Sequence, residues 1–434
     1  MTDAGSGPGA GPSSGPSTGP SAGPSAGPSA GNLRERSVAA AGRDLSLFLV
    51  AGEHSGDALG GKLMEALNSS RRGRIRYLGV GGKAMAAQGL VSQFPMDEVA
   101  VMGLGAILSR LPLILRRISS TARSAVAAEP NAVVIIDSPE FTHPIARRIR
   151  KRRPDIPIID YVSPSVWAWR PGRAARMRPY IDHVLGLWPF EPAAHERLGG
   201  PPCSFVGHPL IERHPWLQAL DPAPLASRLG LLPGRPVLLV LPGSRTSEVS
   251  RLMRPFGQTL AKLHSHGLDF EVVLPVVSTV RALIERQIAA WPVQPHLVEG
   301  EEDKFRAFKL ATAALAASGT VTLELALAGT PTVVAYKVDP VIAPIALRLI
   351  KASSVVLPNL VLGENVLPEF IQEACTPANL ADALAPLLGD TPERAKQATA
   401  LAKIPAALQV VERTPSEAAA EIVLEYAENG RRAP

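Results

Sequence analysis

Four clusters of polar residues follow apolar runs that read as β-strands, and each cluster has a chemistry. The run Ala132–Ile136 ends in Asp137, a carboxylate able to take a proton from a bound hydroxyl. Residues 45–50 lead into Gly52, Glu53, His54, Ser55, Gly56 and Asp57, which crowd acid, imidazole and hydroxyl groups onto one strand end. Val237–Leu241 leads into Pro242, Gly243, Ser244 and Arg245, a small-residue turn whose guanidinium can grip a phosphate through two N–H groups. Ala313–Ala317 leads into Ser318, Gly319 and Thr320, the start of a helix over residues 321–328. Free N–H groups and the positive end of the helix dipole favour a phosphate there, and Glu324 can accept hydrogen bonds from a ribose diol. Each cluster also has a plainer reading as a capped helix start, with Ser55 or Asp57 as the cap of the first helix and Asp137 as the cap of another.

Those positions need a scaffold that brings strand ends together. The fourth cluster lies in a strand–helix–strand unit, closed by Gly329 and Pro331 and continued by the β-branched run Thr332–Tyr336. Further strands are predicted at residues 76–80, 157–162, 183–187 and 270–275, with helical stretches between them. Alternation of this kind predicts an α/β fold with parallel sheets, whose ligands bind beyond the strand carboxyl ends. With 434 residues, two lobes are expected, divided near residues 207–215. The boundaries read as a Gly/Pro/Ser/Ala-rich leader at 1–43 that cannot build a core, a first lobe at 44–208, a second at 209–390 and a helical C-terminal segment at 391–434.

The two isolated cysteines give neither a zinc pattern nor a disulfide framework, and Gly79-Val80-Gly81-Gly82 is not a dinucleotide fingerprint. The net charge of +6 is uneven. Residues 32–208 carry 24 Lys and Arg against 15 Asp and Glu, whereas residues 209–434 carry 21 against 23. A basic first half suits nucleic acid, anionic lipid or phosphorylated substrates, and no nucleic-acid motif accompanies it. Its basic features are a stretch at 99–124 with Arg110, Arg116, Arg117 and Arg123 beside apolar residues, and the run 147–153. Either can face an anionic membrane or simply be solvated. Near the end of the first half, Trp167, Trp169 and Arg170 precede Arg173 and Arg176; the tryptophans can stack on sugar rings or pack in the core. No stretch is long and apolar enough for a membrane span, and no signal peptide is read.

Eight motifs in order, at 50–57, 100–103, 136–141, 161–170, 205–209, 241–245, 317–324 and 357–360, resemble the lipid-A-disaccharide synthase family. SerProSerValTrpAlaTrpArg at 163–170 is the most specific of them, and the resemblance spans residues 45–385. It implies a GT-B fold, two Rossmann-like domains facing across a cleft. It further implies inverting transfer of 2,3-diacylglucosamine from its UDP conjugate to 2,3-diacylglucosamine 1-phosphate, without cofactor or protein-bound metal, at the cytoplasmic face of the inner membrane of Gram-negative bacteria. On that reading Asp137 is the first choice of general base and Glu53 the second, with His54 also open. Gly243, Ser244, Arg245, Ser318, Gly319, Thr320, Glu324 and Asn359 hold the donor. His54, Ser55, Arg116, Arg117, Trp169 and Arg170 meet the acceptor or the membrane, the run 147–153 meets membrane or acceptor phosphate, and residues 99–115 face acyl chains. The family can exchange its C-terminal segment between subunits, so a homodimer is compatible. The competing readings are an isomerase of the UDP-sugar 2-epimerase type, a glycosyltransferase with a different acceptor, and a non-catalytic nucleotide- or lipid-binding relative.

Overall fold

The computed structural model describes residues 44–71, 73–100, 104–339, 353–410 and 412–431, with backbone alone at 104–109. The leader at 1–43, part of the stretch expected to meet acyl chains, and the segment 340–352 after Tyr336 lie outside the described residues.

Apolar, β-branched runs become strands here because both faces of each sheet are covered. In chain order the first lobe contains β1 (Leu45–Ala51), β2 (Ile75–Val80), β3 (Val91–Ser92), β4 (Ala132–Ile136), β5 (Ile158–Tyr161), β6 (His183–Gly186) and β7 (Cys203–Phe205). The second contains β8 (Val237–Leu241), β9 (Glu271–Pro275), β10 (His296–Val298), β11 (Ala313–Ala317), β12 (Thr332–Tyr336) and β13 (Glu369–Ile371). All pairings are parallel, in the orders β3-β2-β1-β4-β5-β6-β7 and β10-β9-β8-β11-β12-β13. Every residue of β4, β8 and β11 is buried. The strand order reverses between β1 and β4 in one sheet and between β8 and β11 in the other. These switch points open a crevice beyond the strand ends, and the four polar clusters lie at those four ends.

The first helix, His54–Ser70, starts with two residues between it and β1, ahead of both residues expected to cap it. Neither Ser55 nor Asp57 caps it. Asp57 is buried and reaches across to the next helix, Lys83–Ala87, accepting the N–H groups of Gly82, Ala84 and Met85 at 2.7, 2.9 and 3.1 Å. One carboxylate thereby ties the β1 end to the β2 end. The helix Leu104–Ala128 lays Ile118, Ala122 and Ala125 in the same core cluster as Phe141, Ile145 and Ile149 of the helix Pro139–Arg152.

The C-terminal helix, Pro415–Asn429, returns to the first lobe and packs on the helix His54–Ser70. Ion pairs hold the return: Arg71 Nε to Glu428 at 3.0 Å and Arg431 Nε to Asp182 at 2.7 Å. The C-terminal segment is therefore joined to the first lobe and not only to the second, which it follows in sequence. Among the described residues no helix is long and apolar enough to cross a membrane.

Replacing Asp57 by Ala leaves three N–H groups without their acceptor. Urea denaturation should show a loss of about 2–4 kcal/mol, since a hydrogen bond to a charged group contributes about 1.5–3 kcal/mol and three from one carboxylate are not additive. A loss below about 1 kcal/mol, the order of one ordinary hydrogen bond, would show that the tie between the two strand ends is not needed.

Candidate functional site

On the first lobe, Asp137 leaves the end of β4 in the left-handed region (φ 54°), followed by Ser138 in the same region (φ 45°). Two consecutive non-glycine residues there are strained, at about 1–3 kcal/mol each. The turn is held from both sides. The Asp137 N–H donates to Tyr161 O at 3.0 Å, and Thr142 Oγ1 donates to Asp137 O at 2.8 Å. A Cβ on Gly52 would lie 2.9 Å from Ser138 Cβ, so only glycine lets the β1 loop close on this turn. Ser55 Oγ donates to Asp137 Oδ2 and the Ser138 N–H to Oδ1, both at 2.8 Å. A carboxylate offers about four lone-pair sites, so one on each oxygen remains for a substrate hydroxyl. Ser55, expected to meet the acceptor, instead orients the carboxylate. Glu53 is exposed at the helix N-cap, and His54 Nε2 lies 3.6 Å from Asp97 Oδ1 with both side chains about four-fifths exposed.

The loop after β5, residues 162–171, stands beside this turn. It has three left-handed non-glycine residues, Val162 (φ 86°), Ser165 (φ 48°) and Arg170 (φ 52°). Buried polar groups fasten it. Ser163 Oγ and His195 Nε2 are 2.9 Å apart, and Trp167 Nε1 donates to Glu191 Oε1 at 3.0 Å. Glu191 Oε2 accepts the Trp188 N–H at 3.1 Å, which links the loops after β5 and β6. Glu191 is 1% exposed. Burial pushes its carboxyl up to about 7 against the opposing hydrogen bonds from Trp188 and Trp167. Trp167 is a packing residue, edge-on to Phe190 at 5.0 Å. Trp169 is only partly buried, with Arg170 and Arg173 over its ring. Nothing in the periodicity pointed to Glu191 or His195, because their partners are 24 to 32 residues away.

On the second lobe, a cavity of about 740 Å³ lies beyond the ends of β8, β9, β10 and β11. It gathers Gly243, Ser244, Arg245, Ser318, Gly319, Thr320 and Glu324, which are widely separated in sequence. The details depart from expectation. Glu248 Oε2 accepts the N–H groups of Ser244 and Arg245 at 3.3 and 3.4 Å, and its Oε1 accepts Arg245 Nη1 at 3.0 Å. The backbone cradle after β8 thus already holds an anion of its own, leaving the Arg245 guanidinium, 63% exposed, as the group facing a ligand. Gly243 (φ 110°) is required, since a Cβ would approach Glu248 Oε2 to 2.4 Å. The Ser318 N–H and Oγ are bound to Ala335 O and Val355 O, so the open N–H groups at the helix start belong to Gly319, Thr320 and Val321. Glu324 is clamped by Lys304, whose Nζ lies 3.1 and 2.9 Å from its two oxygens. Lys304 went unread in the sequence, and Glu248, three residues after Arg245, was given no role there.

Three expected contacts are corrected by the geometry. Asn359 is buried and does not line this cavity. Its Nδ2 donates to Leu367 O at 2.9 Å, and its Oδ1 accepts Val366 and Leu367 N–H at 3.0 and 2.8 Å, fixing the approach to β13. Arg117 is paired with Glu98 at 2.6 Å and covers the Phe94 ring, so it is not an open phosphate contact; Arg116 is exposed. The run 147–153 is largely internal bracing: Arg147 binds Tyr180 Oη, Arg148 Pro144 O, Arg150 Asp182, and Arg153 Asp155 and Glu129. Arg147, Lys151 and Arg152 are exposed.

Comparisons with known proteins agree on family and fold. The family model for lipid-A-disaccharide synthetase matches residues 47–423. A lipid-A-disaccharide synthase of Nitrobacter hamburgensis is 53% identical over 386 residues, covering 89% of this chain and 96% of that protein. One of Rhodospirillum centenum is 44% identical over 382 residues, 88% and 94% of the two chains. Among solved structures, the UDP-GlcNAc 2-epimerase of Neisseria meningitidis bound to UDP-GlcNAc superposes with a TM-score of 0.57 at 12% identity, covering 88% of this chain and 99% of that one. MurG of Acinetobacter baumannii gives 0.54 at 14% identity, covering 89% and 100%.

The Glu191 carboxyl is raised from an ordinary 4.5 to about 7. Between those values the unfolded chain has released the proton and the folded chain retains it, so stability falls as pH rises through this window. The loss amounts to about 3 kcal/mol by pH 8. Urea titrations at pH 4.5 and 8 should show this difference shrinking by most of that amount in Glu191→Gln. An unchanged difference would remove Glu191 as its source.

Proposed function

The chain belongs to the lipid-A-disaccharide synthase family and has its GT-B fold, and from that premise we propose how its residues carry the transfer. The enzyme condenses UDP-2,3-diacylglucosamine with 2,3-diacylglucosamine 1-phosphate, releasing UDP and the β-1,6-linked disaccharide 1-phosphate. The cavity on the second lobe takes the donor, and the β1 and β4 ends of the first lobe take the acceptor. The observation that carries this division is the Asp137 turn, a carboxylate held in strained backbone with an open lone-pair site on each oxygen.

The acceptor 6-hydroxyl gives its proton to Asp137 as its oxygen bonds to the donor anomeric carbon. The bond from that carbon to the diphosphate oxygen breaks on the opposite face, which inverts the centre. The electron pair leaves with UDP. Arg245 and the N–H groups of Gly319, Thr320 and Val321 supply the fixed donors that this growing charge needs, a role supported by their lining one cavity. Glu324 accepts from the ribose diol, with Lys304 holding its orientation. A membrane-surface seat is supported by Leu111 and Leu115, 41% and 49% exposed one helical turn apart, beside exposed Arg110 and Arg116. The isomerase alternative is set aside by family membership.

Two measurements test this assignment. In mixed micelles, Asp137→Asn should lower kcat for acceptor-dependent UDP release by about 10²–10⁴-fold with UDP affinity unchanged. Near-normal turnover in that variant would move the base to Glu53 or His54. For the donor side, UDP and its 2′,3′-dideoxy analogue should bind wild type with a difference that vanishes in Glu324→Ala, which removes the acceptor, and falls in Lys304→Met. Full discrimination retained in Glu324→Ala would place the ribose elsewhere.

A further inference from the structure

Arg170 and Arg173 converge on one oxygen of one exposed carboxylate. Arg173 Nη2 donates to Glu140 Oε1 at 2.6 Å, and Arg170 Nη1 lies 4.0 Å from the same atom. Both guanidiniums rest on the Trp169 ring, 4.4 and 5.7 Å from its centroid. The two cations are therefore gathered by an aromatic face and by a single counter-ion. Arg173 is largely buried, with 15% of its side chain exposed, whereas Arg170 and Glu140 are 53% and 76% exposed. Arg170 also holds a left-handed backbone conformation (φ 52°), sparsely populated for a residue other than glycine.

We infer that this cluster is a phosphomonoester site and that Glu140 occupies it until the acceptor arrives. Resting on the acceptor-lobe reading above, the inference assigns Arg170 and Arg173 to the anomeric phosphate of the acceptor sugar. An exposed ion pair contributes about 0–1 kcal/mol, so Glu140 is readily displaced. A phosphomonoester brings a charge of about −1.5 to −2 and three acceptor oxygens, against one charge and two oxygens for the carboxylate. Guanidinium groups match that geometry through paired N–H groups. Position selects the acceptor over a membrane headgroup. Glu140 is the third residue after Asp137, in the first turn of the helix that follows it, so their Cα atoms lie within about 11 Å of one another, the reach of three residues, and the anion site is close to the carboxylate that takes the hydroxyl proton. One hexose ring carrying a 6-hydroxyl and a 1-phosphate can reach both, with Trp169 beside it.

The test is equilibrium binding of 2,3-diacylglucosamine 1-phosphate and of 2,3-diacylglucosamine in neutral-detergent micelles, for the full chain and for Arg170→Gln, Arg173→Gln and Glu140→Gln. Losing a charge-assisted contact should weaken the phosphorylated sugar about ten- to a hundred-fold in either arginine variant and leave the unphosphorylated sugar unchanged. Removing the resident anion in Glu140→Gln should tighten the phosphorylated sugar. Should Glu140→Gln weaken it instead, or the arginine variants weaken both sugars alike, the cluster is structural and the inference is overturned. Arg170→Gln is at an exposed position and serves if Arg173→Gln fails to fold. Vesicles containing phosphatidylglycerol should bind all variants as they bind wild type; a loss confined to vesicles would give the arginines to the membrane and overturn it too. Acceptor-dependent UDP release by wild type is followed in parallel. Discriminating binding without release would refute the transfer reading while leaving this site standing.

Discussion

Burying parallel strands on both faces is the constraint from which the rest follows. A strand such as β4 or β11, covered above and below, has no solvent face on which to carry a polar side chain. Polar chemistry is thereby pushed to the strand ends. Where the strand order reverses, the connections on either side diverge and leave the ends open. Both sheets have one such point, and Asp137 emerges at one and Gly319 at the other. Site and core are thus consequences of the same burial.

An open edge still has to be held still. In the first lobe, the Asp137 turn is braced by Tyr161, Thr142 and the closely approaching Gly52. The loop after β5 hangs from Glu191 and His195. Buried polar groups of this kind add little net stability but define one arrangement when fully partnered. The C-terminal helix adds a brace from the far end of the chain, through Glu428 and Arg431. The supports are many because the backbone at Asp137, Ser138, Val162 and Ser165 is in a region that relaxes unless over-determined.

Net charge proves a poor guide to which cationic groups stay open. The basic first half suggested broad phosphate contacts, yet Arg117, Arg147, Arg150 and Arg153 serve their own chain. Glu248 likewise occupies amides that composition would offer to a ligand. Arg245 shares Glu248 with those amides, yet its guanidinium stays 63% exposed at the cavity of the second lobe.

The amino-acid sequence alone determined the alternation of strands and helices, the central strands of both sheets and the clusters at their ends. These are local properties: apolar β-branched runs, glycines and caps lie within a few residues of one another. Its motifs also carried the family resemblance, and with it the two-lobe fold. The short strands β3, β7, β10 and β13 were not read as strands, because two or three residues form a strand only when a neighbour supplies the ladder. Tertiary structure alone decided which polar groups are already partnered within the chain. Asn359 lies in a recognisable motif yet turns inward to Leu367, while Lys304 lies in none and clamps Glu324 from 20 residues away. A side chain's free hydrogen-bonding capacity depends on partners distant in sequence, and only the folded chain brings those partners within reach.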